Sequence, residues 1–233
     1  MDLSPRLVPT RVPHSPTAAV LVLHGGASRG ERRMVSPTQL SVLRMVPVAR
    51  RLASAGDDRL AVYRLLNSVR GWDTETTPVH DVAWALEQVR ADLGDLPVGL
   101  VGHSLGGRAA LLAGAREGIT SVVALNPWLY PTDHADLRGR RTLFVHGTDD
   151  RIAPLARAET VARRLATESE VGFVAVHGAR HAMLRQGKVF EHAATEWVRS
   201  TLLGVPTDDV RGPVREVLDG QGWVDHGAAR EDP

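Results

Sequence analysis

The chain has 233 residues, 43% hydrophobic and 24% charged, which suits a folded globular domain and excludes wholesale disorder. Its 28 lysines and arginines nearly cancel 27 acidic residues, so the formal net charge is +1 and nothing points to nucleic acid or a membrane surface as main partner. There is no cysteine, which excludes disulfides, thiolate metal sites and cysteine nucleophiles.

Residues 1–16, MDLSPRLVPTRVPHSP, hold four prolines and no apolar stretch of the kind a secretory leader needs. They read as an extension ahead of a domain spanning 17–203, and the expected location is the cytoplasm. The longest apolar run, Ala18–Leu23, is far short of the roughly 20 residues of a membrane span. Closed by Gly25-Gly26, it reads as a strand buried on both faces. A polar loop with Arg29, Glu31, Arg32 and Arg33 follows. Ser36-Pro37-Thr38-Gln39 has a capping-box pattern with proline at the first helical position. Leu40, Leu43, Val46, Ala49, Leu52 and Ala53 continue at helical spacing, and Pro47 predicts a kink or two helical pieces.

Residues 60–63 form the next strand-like run. Gly71, Trp72 and Pro78 end it, and Val79, Val82, Ala83, Leu86, Val89 and Leu93 make a helical stripe. Residues 97–101 predict a third strand, Ala109 to Ala115 a helix, 119–125 and 142–145 two further strands, 156–166 a helix, 171–176 a sixth strand and 189–203 a closing helix. Strands separated by helices of this length predict an α/β fold: a mostly parallel sheet with helices on both faces. Residues 204–233 are polar, with several Gly and Pro, and read as a loosely held, partly disordered tail with one short helix around 214–218.

The chemistry-bearing residues gather at the expected C-terminal strand ends. Gly102-His103-Ser104-Leu105-Gly106 is a G-x-S-x-G between a predicted strand and helix, where a sharp turn exposes a serine hydroxyl beside a helix N-terminus. His24-Gly25-Gly26 ends the first predicted strand, and the N–H of Gly26 can pair with that of Leu105 to hold an oxyanion. His146-Gly147-Thr148-Asp149-Asp150 sets an acid after the fifth predicted strand, with either aspartate eligible to orient an imidazole. His181 follows the sixth, giving the order Ser, Asp, His along the chain.

These residues resemble the α/β-hydrolase superfamily of serine hydrolases over about 18–203, and more narrowly small lidless members such as dienelactone hydrolases and carboxylesterases. The resemblance implies Ser104 as nucleophile, His181 as base and the backbones of Gly26 and Leu105 as oxyanion donors. It selects Asp150 as the acid, because the segment is similar to an H-G-x-x-D-x-x-x-P pattern. The activity it implies is hydrolysis of a carboxylic ester of small or medium acyl size, with a small-molecule acyl substrate and water as partners. Thioester, acyl-transfer or peptide chemistry on the same triad, or a non-catalytic binding protein on a hydrolase fold, are the alternatives. The link over residues 126–141 is too short for a cap domain, so an open site lined by Trp128, Leu129, Tyr130 and Trp72 is expected. No metal or cofactor is implied. Gly178 interrupts the His177/His181 pair, and neither a phosphate loop nor a dinucleotide fingerprint is present. His103 is expected to pack beside the serine turn, and Arg29, Arg32, Arg33 and Arg70 to be solvated loop charges.

Overall fold

The computed structural model describes residues 4–26, 34–73 and 76–227. Its centre is the apolar run of the sequence: Ala18–Leu23 forms β2 with every residue buried. A strand buried on both faces must feed two cores. Val20 and Val22 enter one cluster, while Ala19, Leu21 and Leu23 enter the other.

The remaining strands are β1 (Arg6–Arg11), β3 (Leu60–Leu66), β4 (Val98–His103), β5 (Ile119–Leu125), β6 (Arg141–Gly147), β7 (Glu170–Val176) and β8 (Trp223–His226). They form an eight-stranded sheet in the order β1-β3-β2-β4-β5-β6-β7-β8. β1 runs antiparallel to β3, and every other neighbour is parallel. Leu21 lies opposite Tyr63 on one side and Leu100 on the other.

Helices α1 (Leu40–Leu43), α2 (Met45–Ser54) and α6 (Gly187–Leu203) belong to one face, where Val48, Leu52, Phe190 and Trp197 are buried. Helices α3 (Thr77–Leu93), α4 (Leu105–Ala113) and α5 (Leu155–Leu165) cover the other with Val82, Val89, Ala110, Val161 and Leu165. Each fully buried leucine or phenylalanine contributes about 1.5–3 kcal/mol relative to its exposed state, so the two layers fix the register of the sheet. Pro47 acts as expected. Lacking an N–H and clashing with the carbonyl one turn back, it is tolerated only in a first turn, and the helix divides at Arg44 with Pro47 in the first turn of α2. The Ser36 pattern does not cap the helix. The Ser36 hydroxyl accepts from the Thr38 N–H at 3.3 Å in a local turn, and α1 starts at Leu40.

Two segments set outside the domain by composition belong to the sheet. β1 lies within 1–16, and β8 lies within 204–233 after α7 (Pro213–Glu216) and a five-residue π turn over Val217–Gln221. α7 is the expected short helix; β8 corrects the expectation of a loose tail. Trp223 stacks on Phe173 at 5.7 Å between ring centroids, burial enough to order a short polar strand.

The chain leaves β2 for β3 on one side and then crosses to β4 on the other. This reversal falls between the C-terminal ends of β2 and β4, the place where open α/β sheets bind their ligands. Among the described residues no helix is long and apolar enough to cross a membrane.

Candidate active site

Ser104 stands at that reversal. Its backbone has φ 56° and ψ −121°, a region that non-glycine residues rarely occupy. The strain is imposed from both sides. The Ser104 N–H donates to the Leu125 carbonyl of β5 at 3.0 Å, and its carbonyl accepts from the N–H groups of Arg108 and Trp128, each at 3.1 Å. Two glycines let the turn close: a Cβ on Gly102 would lie 2.1 Å from the Gly106 carbonyl oxygen, and one on Gly106 would lie 2.6 Å from the oxygens of Leu23 and His24.

The imidazole of His181, in the loop after β7, reaches Ser104. Its Nε2 is 2.9 Å from the Ser104 Oγ, and its Nδ1 is 2.7 Å from Asp150 Oδ2. Asp150 Oδ1 accepts from the N–H groups of Ile152 at 2.9 Å and Ala153 at 2.8 Å. Burial pushes the Asp150 carboxyl up, but the hydrogen bonds from His181, Ala153 and Ile152 outweigh it, and the group titrates below the ordinary carboxylate range. A carboxylate so held accepts from Nδ1–H and leaves Nε2 as the lone-pair nitrogen facing the hydroxyl. Asp149 is exposed, and its N–H donates to the Ala179 carbonyl at 3.0 Å. The choice between the two aspartates is therefore geometric: residue 150 faces the imidazole.

Gly25 runs beside the serine, and Gly26 passes close against the Arg70 carbonyl. A Cβ on Gly25 would lie 3.1 Å from the Ser104 Cβ. Leu105 is the first residue of α4, so its N–H is among those without an intrahelical acceptor. His24 fixes the approach of this turn: Nδ1–H donates to the Gly25 carbonyl, and Nε2 accepts from the Asn67 N–H at 3.2 Å.

Two more buried histidines flank the triad, and both stay neutral. His103 donates from Nε2 to the His181 carbonyl at 2.8 Å, and burial, reinforced by the neighbouring His181, pushes its pKa down to about 3. His146 donates from Nε2 to the Ala153 carbonyl at 2.8 Å, and burial lowers its pKa too. His146 was visible in the sequence only as the start of an acid-bearing motif.

The aromatic residues divide. Trp128 and Tyr130 meet edge to face at 4.9 Å, and Trp128 adjoins Ser104 through its N–H. Trp72 joins them through Arg108, whose guanidinium lies 4.2 Å from the Trp72 ring centre and 4.8 Å from that of Tyr130. Asp133 clamps the same guanidinium in two hydrogen bonds of 2.7 and 2.8 Å. The sequence reading missed Arg108, because nothing local shows that a helix arginine will be sandwiched between two loops. Leu129 is a correction: it is buried in the core beneath α4 and offers no wall to a substrate. Arg70 is exposed as expected, whereas Arg29, Arg32 and Arg33 lie outside the described residues. Among the described residues no cluster of three metal-ligating side chains occurs.

A mostly parallel sheet whose strand order reverses beside a strained serine turn, with an acid and a histidine on two later strand ends, is the α/β-hydrolase fold. The link between β5 and β6, residues 126–140, contains neither helix nor strand, so no cap stands between them. A family model described as the alpha/beta hydrolase fold matches residues 66–141. Among solved structures, the chain is similar to an α/β serine hydrolase without lid from Xanthomonas campestris, with TM-score 0.66, 20% identity, and coverage of 87% of this chain and 90% of that one. It is also similar to Est1E from Butyrivibrio proteoclasticus (TM-score 0.62, 15% identity, 83% and 92% covered). A third is an acetyl ester-xyloside bifunctional hydrolase from Caldicellulosiruptor lactoaceticus (TM-score 0.62, 17% identity, 84% and 88% covered). No curated protein matches the sequence.

Proposed function

We propose that the protein is a serine hydrolase cleaving carboxylic esters of small or medium acyl size. The observation that carries this reading is the continuous hydrogen-bonded chain from Ser104 Oγ through His181 to Asp150, at 2.9 and 2.7 Å. The Ser104 oxygen attacks the acyl carbonyl while its proton passes to His181 Nε2. The carbonyl oxygen becomes an oxyanion held by the N–H groups of Gly26 and Leu105. Collapse expels the alcohol, which takes the proton from the imidazolium. Water then attacks the acyl-serine, giving up its proton to the same nitrogen, and the acid leaves as Ser104 is restored. Asp150 stabilises the imidazolium at both stages without leaving its charged state. Trp128, Tyr130 and Trp72 form the wall on the leaving-group or acyl side. The name of the similar acetyl ester-xyloside bifunctional hydrolase, and the esterase names of other similar structures, support ester chemistry.

The test is p-nitrophenyl acetate hydrolysis by the wild type and Ser104→Ala, with labelling by a fluorophosphonate probe. The reading requires label on Ser104 and a loss in kcat that approaches the millionfold scale of related triads, about 10⁵–10⁶. Unchanged hydrolysis in Ser104→Ala, or no label on the folded wild type, would refute it. A parallel panel of thioester and aminoacyl substrates separates ester cleavage from the other acyl reactions the triad can run.

A further inference from the structure

The acid and the base of the triad sit on different loops, and one side chain spans the gap between them. Asn126 follows β5 and is fully buried. Its Nδ2 donates to the carbonyls of Arg180 and His181, each at 3.2 Å. Its Oδ1 accepts from the N–H of Gly147 at 2.8 Å, at the end of the strand that leads into Asp150. Its own N–H donates to the Val145 carbonyl at 2.9 Å. The amide orientation follows from its partners, since only an NH2 group can face two carbonyls and only an oxygen can face an N–H. The backbone here has φ 41°, a left-handed conformation that asparagine tolerates better than most residues.

The His181 carbonyl therefore receives two donors: Asn126 Nδ2 at 3.2 Å and His103 Nε2 at 2.8 Å. Together they hold the backbone from which the imidazole projects. Gly147 stands three residues before Asp150, so the opposite end of the same amide anchors the acid-bearing turn. We infer that Asn126 is a positioning residue for the reaction. As a rigid strut between the base loop and the acid loop, it sets the distance from His181 to Asp150 and aims Nε2 at Ser104. This rests on the ester-hydrolase reading. Misplacement of a reacting group by about 1 Å can cost about a hundredfold in rate, so the effect of losing the strut falls on the chemical step.

Asn126→Gly keeps the left-handed backbone accessible and removes the amide. Asn126→Asp keeps the acceptor for Gly147 and removes the two donors. With p-nitrophenyl acetate as probe, kcat should fall about 10- to 100-fold in both variants, with KM within about threefold of wild type. The acidic limb of the kcat/KM profile of Asn126→Gly should move to lower pH, because Asp150 holds the imidazolium less closely. Fluorophosphonate labelling of Ser104 should slow by a factor similar to that of kcat. A purely architectural residue would lower the melting temperature and leave the pH limb and labelling rate where they were. Folded variants with wild-type kcat, pH limb and labelling rate would overturn the inference. Should Asn126→Gly fail to fold, Asn126→Asp decides by the same kcat and labelling criteria. Wild-type protein that neither turns over the ester nor takes the label defeats the ester-hydrolase reading itself, and the inference with it. A wild type that depends on Ser104, beside unaffected variants, defeats only the role of Asn126.

Discussion

At the scale of single residues, the charge states around Ser104 are set by competition between burial and hydrogen bonding. Asp150 titrates below the ordinary carboxylate range because three donors converge on a carboxylate that burial alone would push up. Removing its charge while keeping its shape, in Asp150→Asn, should leave the fold intact and lower kcat by about 10⁴, because the imidazole loses the partner that selects its tautomer. A variant within tenfold of wild type would refute Asp150 as the orienting acid. Because the folded carboxyl titrates below its unfolded value, its contribution to stability is complete above about pH 4 and disappears as pH falls through the folded value. The histidines act at higher pH. His103 takes up a proton at about 6.5 when unfolded and at about 3 when folded, so the unfolded chain binds more protons throughout that window. Stability should therefore be greatest above pH 6.5 and fall by about 1.4 kcal/mol per pH unit below it for this residue, with His24 and His146 acting in the same direction. Urea unfolding at a series of pH values measures the slope. His103→Gln, which preserves a donor for the His181 carbonyl, should make it shallower; an unchanged slope would show that His103 is not the group responsible.

At the scale of elements, the site depends on how closely α4 approaches the end of β2. The approach is possible because residue 106 has no side chain to meet the carbonyls of Leu23 and His24. Gly106→Ala should push the two elements apart, destabilising the protein by about 1–3 kcal/mol as overpacked positions do and widening the gap between the Gly25-Gly26 turn and the start of α4. Thermal melting and ester turnover should fall together. A variant with wild-type values of both would mean that the elbow is looser than its contacts imply. The same elements show what local sequence conveys. The all-apolar β2 and the Pro47 break were legible because each follows from chemistry confined to a few neighbouring residues: burial on both faces in one, a missing N–H in the other. Arg108 and Asn126 were not. One is held between Trp72, Tyr130 and Asp133, the other between two loops more than twenty and fifty residues further along, and no local pattern encodes those meetings.

At the scale of the whole molecule, β1 and β8 form the two edges of the sheet. β1 pairs with β3 through a proline-bearing edge strand, a position where the missing N–H costs no interior ladder bond. β8 covers the opposite edge, where Trp223 and Val224 meet β7. Trp223→Ala should lower stability by about 2–4 kcal/mol, somewhat under the usual cost for a fully buried tryptophan. That corresponds to a melting shift of about 4–16 °C for a chain of this size. Turnover of a small ester at 25 °C should stay near wild type, since β8 is separated from Ser104 by three strands. A variant that melts with the wild type would return residues 223–226 to the status of a loose tail. Cavities of about 640 and 620 Å³ lie away from the triad, one at the opposite end of the sheet beside Gly118 and the other along β1 beside Trp84. The hydrogen-bonded chain of Ser104, His181 and Asp150 is built from side chains gathered at the strand ends and borders neither hollow.

The order of strands and helices, the serine turn and the sequence of Ser104, Asp150 and His181 could be read from the chain, because periodicity and turn chemistry act between close neighbours. That Leu129 faces inward, that β1 and β8 join the sheet and that Asn126 joins two loops were decided only on folding. These are contacts between residues distant in sequence, and their energies exist only once the sheet has brought its strand ends side by side.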